Sequence, residues 1–235
     1  MFEQYFSVLI NAAICALAPL REIAIQVMKL FFLFCTCLSI PASAQTIKTQ
    51  PRKKDTIKDR DGNIYSVKLM PDNKWWMTDN LKTNIPNSYC YDEKKENYDQ
   101  YGRLYSWESA QAGCKMLGEG WRLATNDEWQ EMAKHYGGVR IDSINNGKAA
   151  YKALMKGGES RFNVVYGGGR TTDGQYARLD AHGFYWTATE TNADLAWFYN
   201  LGKGGGFLNR HNDGEKSRAF AVRCVGDINN LKKNK

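Results

Sequence analysis

The sequence predicts an α+β domain, in which a small, mostly antiparallel sheet accompanies two main helices and long irregular loops. Three stretches predict this class. Asp61-Gly62 separates two strand-like stretches, as the turn of a β-hairpin does. Residues 125–136 carry apolar side chains at helical spacing, whereas residues 183–207 resemble a pair of strands. Strands therefore lie on both sides of the helices along the chain.

The N-terminal segment has the composition of a secretory signal peptide. Lys29 precedes an apolar run that ends before Pro41, and an Ala-Ser-Ala sequence then closes at Ala44. The run is shorter than the roughly 20 apolar residues that a membrane span needs. We therefore expect a signal peptide over residues 28–44 that is cleaved after Ala44, and we expect residues 1–27 to lie upstream of the true start.

A membrane anchor is the alternative for this segment. It would combine the apolar runs on either side of Arg21 and Glu22, although these two charges interrupt it. With cleavage, residues 45–55 form a polar, basic linker and residues 228–235 a polar tail. The domain itself is expected over residues 56–227, without a stable membrane span, and its length suffices for one hydrophobic core.

The chain carries a formal net charge of +7, and part of this charge lies in the linker and the tail. The signal peptide predicts an exported protein, in the periplasm, on the cell surface or outside the cell. Nucleic acid is a poor partner for such a protein. A solvated basic surface, or one that attracts anionic glycans, explains the charge better.

Cysteines and histidines decide whether metal chemistry is expected. The predicted mature chain contains Cys90, Cys114, Cys224, His135, His182 and His211. In an oxidising compartment, an odd number of cysteines predicts one disulfide and one free thiol. The cysteine spacings match no zinc motif, and the histidines form no H-E-x-x-H pair. We therefore expect neither a metal nor a cofactor.

The first main helix is predicted within residues 101–114. Leu104, Trp107 and Gln111 recur there at helical spacing. Gly113 is expected to end the helix, because glycine is the usual residue just past a helix end. A shorter helical stretch is predicted over residues 147–156.

The second main helix is predicted to begin at Thr125. Thr125 and Glu128 fit a capping box, in which each side chain accepts a hydrogen bond from the backbone amide of the other residue. Asp127 places negative charge near the positive end of the helix dipole. One buried stripe is expected to follow, formed by Trp129, Met132, Ala133 and Tyr136. The acids of this segment therefore have structural roles, and we expect no catalytic residue among them.

The C-terminal half is predicted to form strands. Residues 162–170 are expected to be a strand that runs into a glycine turn. Residues 183–190 and 196–207 are expected to pair with each other. The last strand is predicted over residues 219–225, with alternate side chains on one face.

Nine short motifs occur in a fixed order along this predicted domain. They are DGNIY at 61–65, WMTDNLKT at 76–83, CY at 90–91, YGRLYSW at 101–107, GWRL at 120–123, EW at 128–129, GGR at 168–170, WTATE at 186–190 and VRCV at 222–225. In this order they resemble the Fibrobacter succinogenes major paralogous domain family over residues 56–227. Each motif is weak alone, but the set is specific.

The resemblance implies a disulfide between Cys114 and Cys224. Many family members have a second cysteine soon after the CY motif, where this chain has Asn97-Tyr98. Cys90 is therefore expected to remain free. A second departure is Leu123-Ala124 in place of Leu-Pro, which only loosens the turn before the second main helix.

The resemblance also implies the fold and the class of function. The GWRL and VRCV motifs are similar to those of the formylglycine-generating and sulfatase-modifying group, which has a C-type-lectin-like architecture. We therefore expect an exported lectin-like binding or adhesion module without catalysis, whose ligand is a glycan or a cell-surface protein. Arg170, Tyr176 and Tyr185 are the candidate ligand-binding residues, and we expect them to be exposed on loops.

Two alternatives remain. The first is a structural component of a cell-surface assembly, which the sequence does not separate from a binding module. The second is an oxidase like the formylglycine-generating enzyme. That chemistry needs two reactive cysteines close together near the C-terminus, and this chain has only Cys224 there. A disulfide from Cys224 to Cys114 would also remove the thiolate that such a reaction needs.

Overall fold

The computed structural model describes residues 55–227. The predicted upstream segment, signal peptide and tail lie outside these residues, as does the predicted linker apart from Asp55. Within residues 55–227, none of the helices combines the length and the apolar character that crossing a bilayer requires.

The described residues form twelve strands, four α-helices and one short 3-10 helix. The strands are β1 (Thr56–Lys58), β2 (Ile64–Leu69), β3 (Lys74–Met77), β4 (Ser88–Tyr89), β5 (Leu104–Tyr105), β6 (Trp121–Leu123), β7 (Gly167–Arg170), β8 (Tyr176–Leu179), β9 (His182–Glu190), β10 (Leu195–Gly202), β11 (Phe207–Glu215) and β12 (Cys224–Asp227). The helices are the 3-10 helix (Tyr91–Glu93), α1 (Lys95–Tyr101), α2 (Trp107–Lys115), α3 (Asn126–Lys134) and α4 (Lys148–Leu154). The predicted α+β class is confirmed.

The first sheet has the strand order β1-β2-β3-β12-β6, and its pairs are antiparallel. β1 and β2 form the predicted hairpin around Asp61-Gly62. β12 lies between two earlier strands, with Val225 opposite Trp76 on one side and Arg122 on the other. The C-terminal residues therefore complete the sheet that the N-terminal strands begin.

The second sheet has the strand order β11-β10-β9-β7-β8. β9 and β10 pair antiparallel, which confirms the predicted strand pair. β7 joins β9 in parallel at Gly168 and Gly183, whereas β7 and β8 form an antiparallel hairpin. The described residues thus form two five-stranded sheets and one two-stranded ladder instead of one small sheet.

The prediction for residues 162–170 is wrong, because the glycines form strand β7 itself and not a turn after a strand. Gly168 has a φ of +63°, and a Cβ there would lie 2.6 Å from the Ala177 carbonyl oxygen and 2.7 Å from Tyr91 Cε2. Only glycine allows this conformation and this approach of neighbouring backbone. The glycines are therefore required by packing between strands.

The predicted ends of two other elements are also wrong. Helix α2 continues through Gly113 to Lys115, so that Cys114 lies inside the helix. A Cβ on Gly113 would lie 2.7 Å from Leu81 Cδ2, and the glycine therefore serves close packing. The last strand begins only at Cys224, because residues 219–221 form single bridges to three separate segments as they cross between the sheets.

The predicted capping box of α3 is confirmed. Thr125 Oγ1 accepts a hydrogen bond from the Glu128 amide at 3.2 Å, and Glu128 Oε2 accepts one from the Thr125 amide at 2.9 Å. The guanidinium of Arg122 also donates two hydrogen bonds to the Glu128 carboxylate, each of 2.6 Å. Trp129 packs behind this cap and is fully buried. Glu128 therefore has a structural role at the start of the helix.

A disulfide joins Cys114 to Cys224, with a Cα–Cα distance of 5.5 Å. It links α2 to β12 within a core cluster that also contains Trp121 and Val222. Cys90 is buried and forms no disulfide with another cysteine of residues 55–227. Both parts of the cysteine prediction are confirmed.

Candidate functional site

An open cleft of about 470 Å³ lies at the base of the β7–β8 hairpin. Its lining includes Tyr101, Tyr151, Tyr166, Asp180, Lys152 and Gln100. The volume lies within the range of about 300 to 1,000 Å³ that is usual for ligand sites. This cleft is the candidate functional site.

Four separate elements position these side chains. Tyr101 is the last residue of α1, and Tyr151 lies within α4. Tyr166 and Asp180 flank the β7–β8 hairpin, and the Asp180 amide donates a hydrogen bond to the Tyr166 carbonyl oxygen at 2.9 Å. The hairpin therefore fixes one wall of the cleft, and the two helices fix the others.

The tyrosine hydroxyls of the cleft are held in two hydrogen-bonded pairs. Tyr101 Oη donates to Asp180 Oδ1 at 2.5 Å, and the hydroxyls of Tyr151 and Tyr166 bond to each other. Burial, followed by the bond to Asp180, raises the pKa of Tyr101 to about 12. Burial and the partner hydroxyl likewise raise the pKa of Tyr166. Tyr101 and Tyr166 are therefore neutral at physiological pH, and their hydroxyls already have hydrogen-bond partners within the protein.

A neighbouring cleft of about 380 Å³ shares Gln100, Tyr101 and Lys156 with the first. Arg223 forms part of its floor and is only 1% exposed. Its guanidinium donates to four neutral oxygens, those of the Asn80 side chain and of the Met77, Phe162 and Asn163 backbone. Burial lowers the pKa of Arg223, but an arginine remains protonated in proteins. Arg223 therefore supplies buried positive charge beneath the shared wall.

The structure brings two of the three predicted site residues together, at the tip of the same hairpin. Arg170 and Tyr176 are partners across β7 and β8. The Arg170 Cζ lies 4.1 Å from the ring centroid of Tyr89, and Tyr176 Oη donates to Glu93 Oε1 at 2.6 Å. Both residues lie on strands and are half-buried, so the expectation that they are exposed on loops is wrong. Within residues 55–227, the Arg170 Nε is buried without a hydrogen-bond partner. The tip is thus a packed cation–aromatic cluster with one free donor.

The expectation that Tyr185 is exposed is wrong. Tyr185 is fully buried, and its ring lies 5.7 Å from that of Trp129. Its hydroxyl donates to the Val165 carbonyl oxygen at 3.2 Å, behind the wall of the cleft. The alternation of side chains along β9 directs this tyrosine into the core. It does not join Arg170 and Tyr176 on the surface.

The residues of the cleft were not among the predicted site residues. Tyr101 belongs to the YGRLYSW motif, but nothing in the spacing of Tyr151, Tyr166 and Asp180 indicates that the three side chains meet. The hairpin and α4 bring them together only in the tertiary structure. The tyrosines at 151, 166 and 176 are unevenly spaced, so the sequence carries no signal that groups them.

Metal ligation finds no support in the described part of the chain. In residues 55–227, no group of three or more histidine, cysteine, aspartate or glutamate side chains is placed to hold a metal ion. The fold and the cleft together define a disulfide-linked α+β domain with an open, tyrosine-lined groove. The chemistry available there is hydrogen bonding, charge and aromatic contact.

The chain belongs to the Fibrobacter succinogenes major domain family, whose sequence profile matches residues 72–226. This match confirms the resemblance inferred from the motifs. Neither the curated proteins nor the solved structures contain a match to the chain.

Proposed function

We propose that the chain is an exported, lectin-like binding module that holds a glycan in the tyrosine-lined cleft and catalyses no reaction. The observation that carries this proposal is the lining of the cleft. Aromatic rings offer flat apolar faces to a sugar ring, and ordered hydroxyl, carboxylate and amide groups offer hydrogen bonds to its hydroxyls. Tyr101, Asp180 and Gln100 supply these groups side by side.

Export is supported by the disulfide, because disulfides persist in oxidising compartments and are rare in the cytosol of most organisms. The lectin-like architecture is supported by the motifs and by the combination of antiparallel sheets with irregular connections. Export and the lectin-like architecture are therefore both parts of the proposal.

The absence of catalysis is proposed from the chemistry of the cysteines. Cys224 is in a disulfide, and therefore offers no thiolate. Cys90 is buried, its Sγ donates to the Lys94 carbonyl oxygen at 2.9 Å, and burial raises its pKa. Neither sulfur is suited to the oxidase reaction of the similar group.

Arg170 and Tyr176 extend the proposed site along the hairpin. Arg170 supports a role in binding a polar group of the ligand, because its guanidinium carries several N–H donors and its side chain is only half-buried at the tip of the hairpin. These two residues would contact a part of the ligand that reaches beyond the cleft.

The test is a glycan-array screen of the purified chain, followed by titration of each positive glycan. Asp180→Asn and Tyr166→Ala should each weaken binding at least tenfold. Tyr136→Phe is the control, because Tyr136 lies in the turn after α3 and outside the cleft. Arg170→Ala should weaken the binding of long glycans only. Absence of any glycan ligand, or equal affinities for the cleft variants and the control, would refute the proposal.

A structural role in a surface assembly is the second candidate, and one observation favours it. Ile141 and Ile144 lie on the loop between α3 and α4 and are 80% and 109% exposed. Exposed apolar side chains close together are typical of protein contacts. An Ile141→Asn/Ile144→Asn variant that no longer assembles, but still binds glycan, would separate the two candidates.

A further inference from the structure

Helix α4 places its lysines where the physics of an isolated helix disfavours them. Lys148 and Lys152 are one turn apart, and the helix sequence KAAYKAL contains no acid. Like charges at this spacing are destabilising. Lys148 also lies at the positive end of the helix dipole, whereas Lys152 lies in the favourable last turn, as Lys115 of α2 and Lys134 of α3 do.

Two further cations extend this arrangement into one surface, which we call the basic track. Arg140 and Lys148 contact the same Phe207 ring, with their cationic groups 4.9 Å and 5.6 Å from its centroid. At the other end of α4, Lys152 and Lys156 line the cleft. The track therefore consists of Arg140, Lys148, Lys152 and Lys156.

The basic track is continuous with the tyrosine-lined cleft. A Cβ on Gly206, the neighbour of Phe207, would lie 3.8 Å from Tyr151 Cε1. Tyr151 itself is a wall of the cleft. Phe207, Tyr151 and Lys152 thus follow one another across the surface of α4.

The charges of the track are not neutralised within the described part of the chain. In residues 55–227, no carboxylate lies within 4.0 Å of any of the four cations. The nearby acids have other partners, since Asp142 pairs with Arg210 at 3.0 Å and Asp180 accepts from Tyr101. Local rules are broken mainly where a function requires it. An external anion would supply the missing partner.

We infer that the ligand of the cleft is an acidic polysaccharide, whose carboxylate or sulfate groups contact the basic track while a sugar unit occupies the cleft. This inference rests on the proposed function. Nucleic acid fits less well, because the Phe207 ring is half-buried and already contacts both Arg140 and Lys148, which leaves less of it to stack on a base.

The experiment titrates the purified chain with polygalacturonate, its methyl ester, dextran sulfate and dextran. Polygalacturonate should bind at least tenfold more tightly than its methyl ester, and its affinity should fall as salt is added. The affinities of dextran sulfate and dextran give the same comparison for sulfate groups. The charged polymer that binds more tightly identifies whether the site prefers carboxylate or sulfate. The Lys148→Gln/Lys152→Gln variant should bind the charged polymers at least fivefold more weakly. The matched control Lys115→Gln/Lys134→Gln removes the same charge elsewhere and should change affinity less than twofold.

Four outcomes would overturn the inference. Equal affinities for the ester and the free acid, together with equal affinities for dextran and dextran sulfate, would show that the ligand is neutral and would leave the proposed function intact. An equal loss of affinity in the control variant would show that the net charge of the protein, and not the basic track, determines binding. Duplex DNA that binds as tightly as the charged polymers would indicate a nucleic-acid surface. If no polymer binds and the glycan array is also negative, both the inference and the proposed function fail.

Discussion

Removing the disulfide should destabilise the domain by an amount that follows from its position in the chain. Cys114 and Cys224 are separated by 110 residues. A bridge that closes a loop of this length stabilises by about 4.8 kcal/mol in the chain-entropy model. The free energy of unfolding of a domain is typically about 5–15 kcal/mol. The Cys114→Ala/Cys224→Ala variant should therefore lose a third or more of the stability of the domain.

Thermal and urea unfolding measure this loss. For a domain of this size, each kcal/mol corresponds to about 2–4 °C, so the melting temperature should fall by about 10–19 °C. The slope of the free energy against urea should increase, because the unbridged chain exposes more surface when it unfolds. Reduction of the unmodified protein should give the same shift as the double variant.

Cys90→Ala is the matched control for the loss of a buried sulfur. It removes the packing of the buried sulfur and its hydrogen bonds to the Lys94 and Tyr91 carbonyl oxygens, of which the bond to Lys94 contributes about 0.5–1.5 kcal/mol, but it breaks no disulfide. If the melting temperature of the double variant falls no further than that of this control, the bridge does not constrain the unfolded chain and the reasoning from loop length is wrong.

Three further predictions concern the α3 cap and the N-terminus. Thr125→Ala should cost about 0.5–2 kcal/mol and Trp129→Ala about 3–5 kcal/mol, and melting curves that reverse this order would contradict the assigned cap and core. Burial raises the pKa of Glu128, but the hydrogen bonds from Arg122 and the Thr125 amide outweigh it, and the net pKa lies below 4.5. The stability that Glu128 contributes is therefore present above pH 4.5 and lost as pH falls through the lowered pKa. Unfolding curves of the protein and its Glu128→Gln variant should accordingly converge in acid, and a constant gap down to low pH would exclude this role. Finally, the intact mass of the protein recovered from the producing cell should correspond to cleavage after Ala44, whereas a mass that retains residues 1–44 would favour an anchor.

Local interactions were predictable from the sequence. The capping box depends on Thr125 and Glu128, which lie in one helical turn, and the first hairpin depends on the adjacent residues Asp61-Gly62. The disulfide was also predictable, although through family resemblance and not through spacing. Features whose partners lie close in the sequence leave a pattern that physical rules recognise.

Features that depend on distant partners were not predictable. The glycine strand β7 looks like a turn until Ala177 and Tyr91 are placed against Gly168. Tyr185 lies in a strand with aromatic side chains on both faces, so its sequence alone does not say which face is the core. The cleft depends on how α4 packs against the β7–β8 hairpin, and this packing is a tertiary interaction between segments that are distant in the sequence.

The central position of β12 has a consequence for the order in which the domain folds. β3 and β6 have no partner between them until residues 224–227 have been synthesised and are free to pair. Pairing across such a distance gives a high contact order and therefore slow folding. During that delay, the open edges of both strands are sites for aggregation. A chain that closes its first sheet last keeps the facing edges of β3 and β6 unpaired until its C-terminal residues are in place.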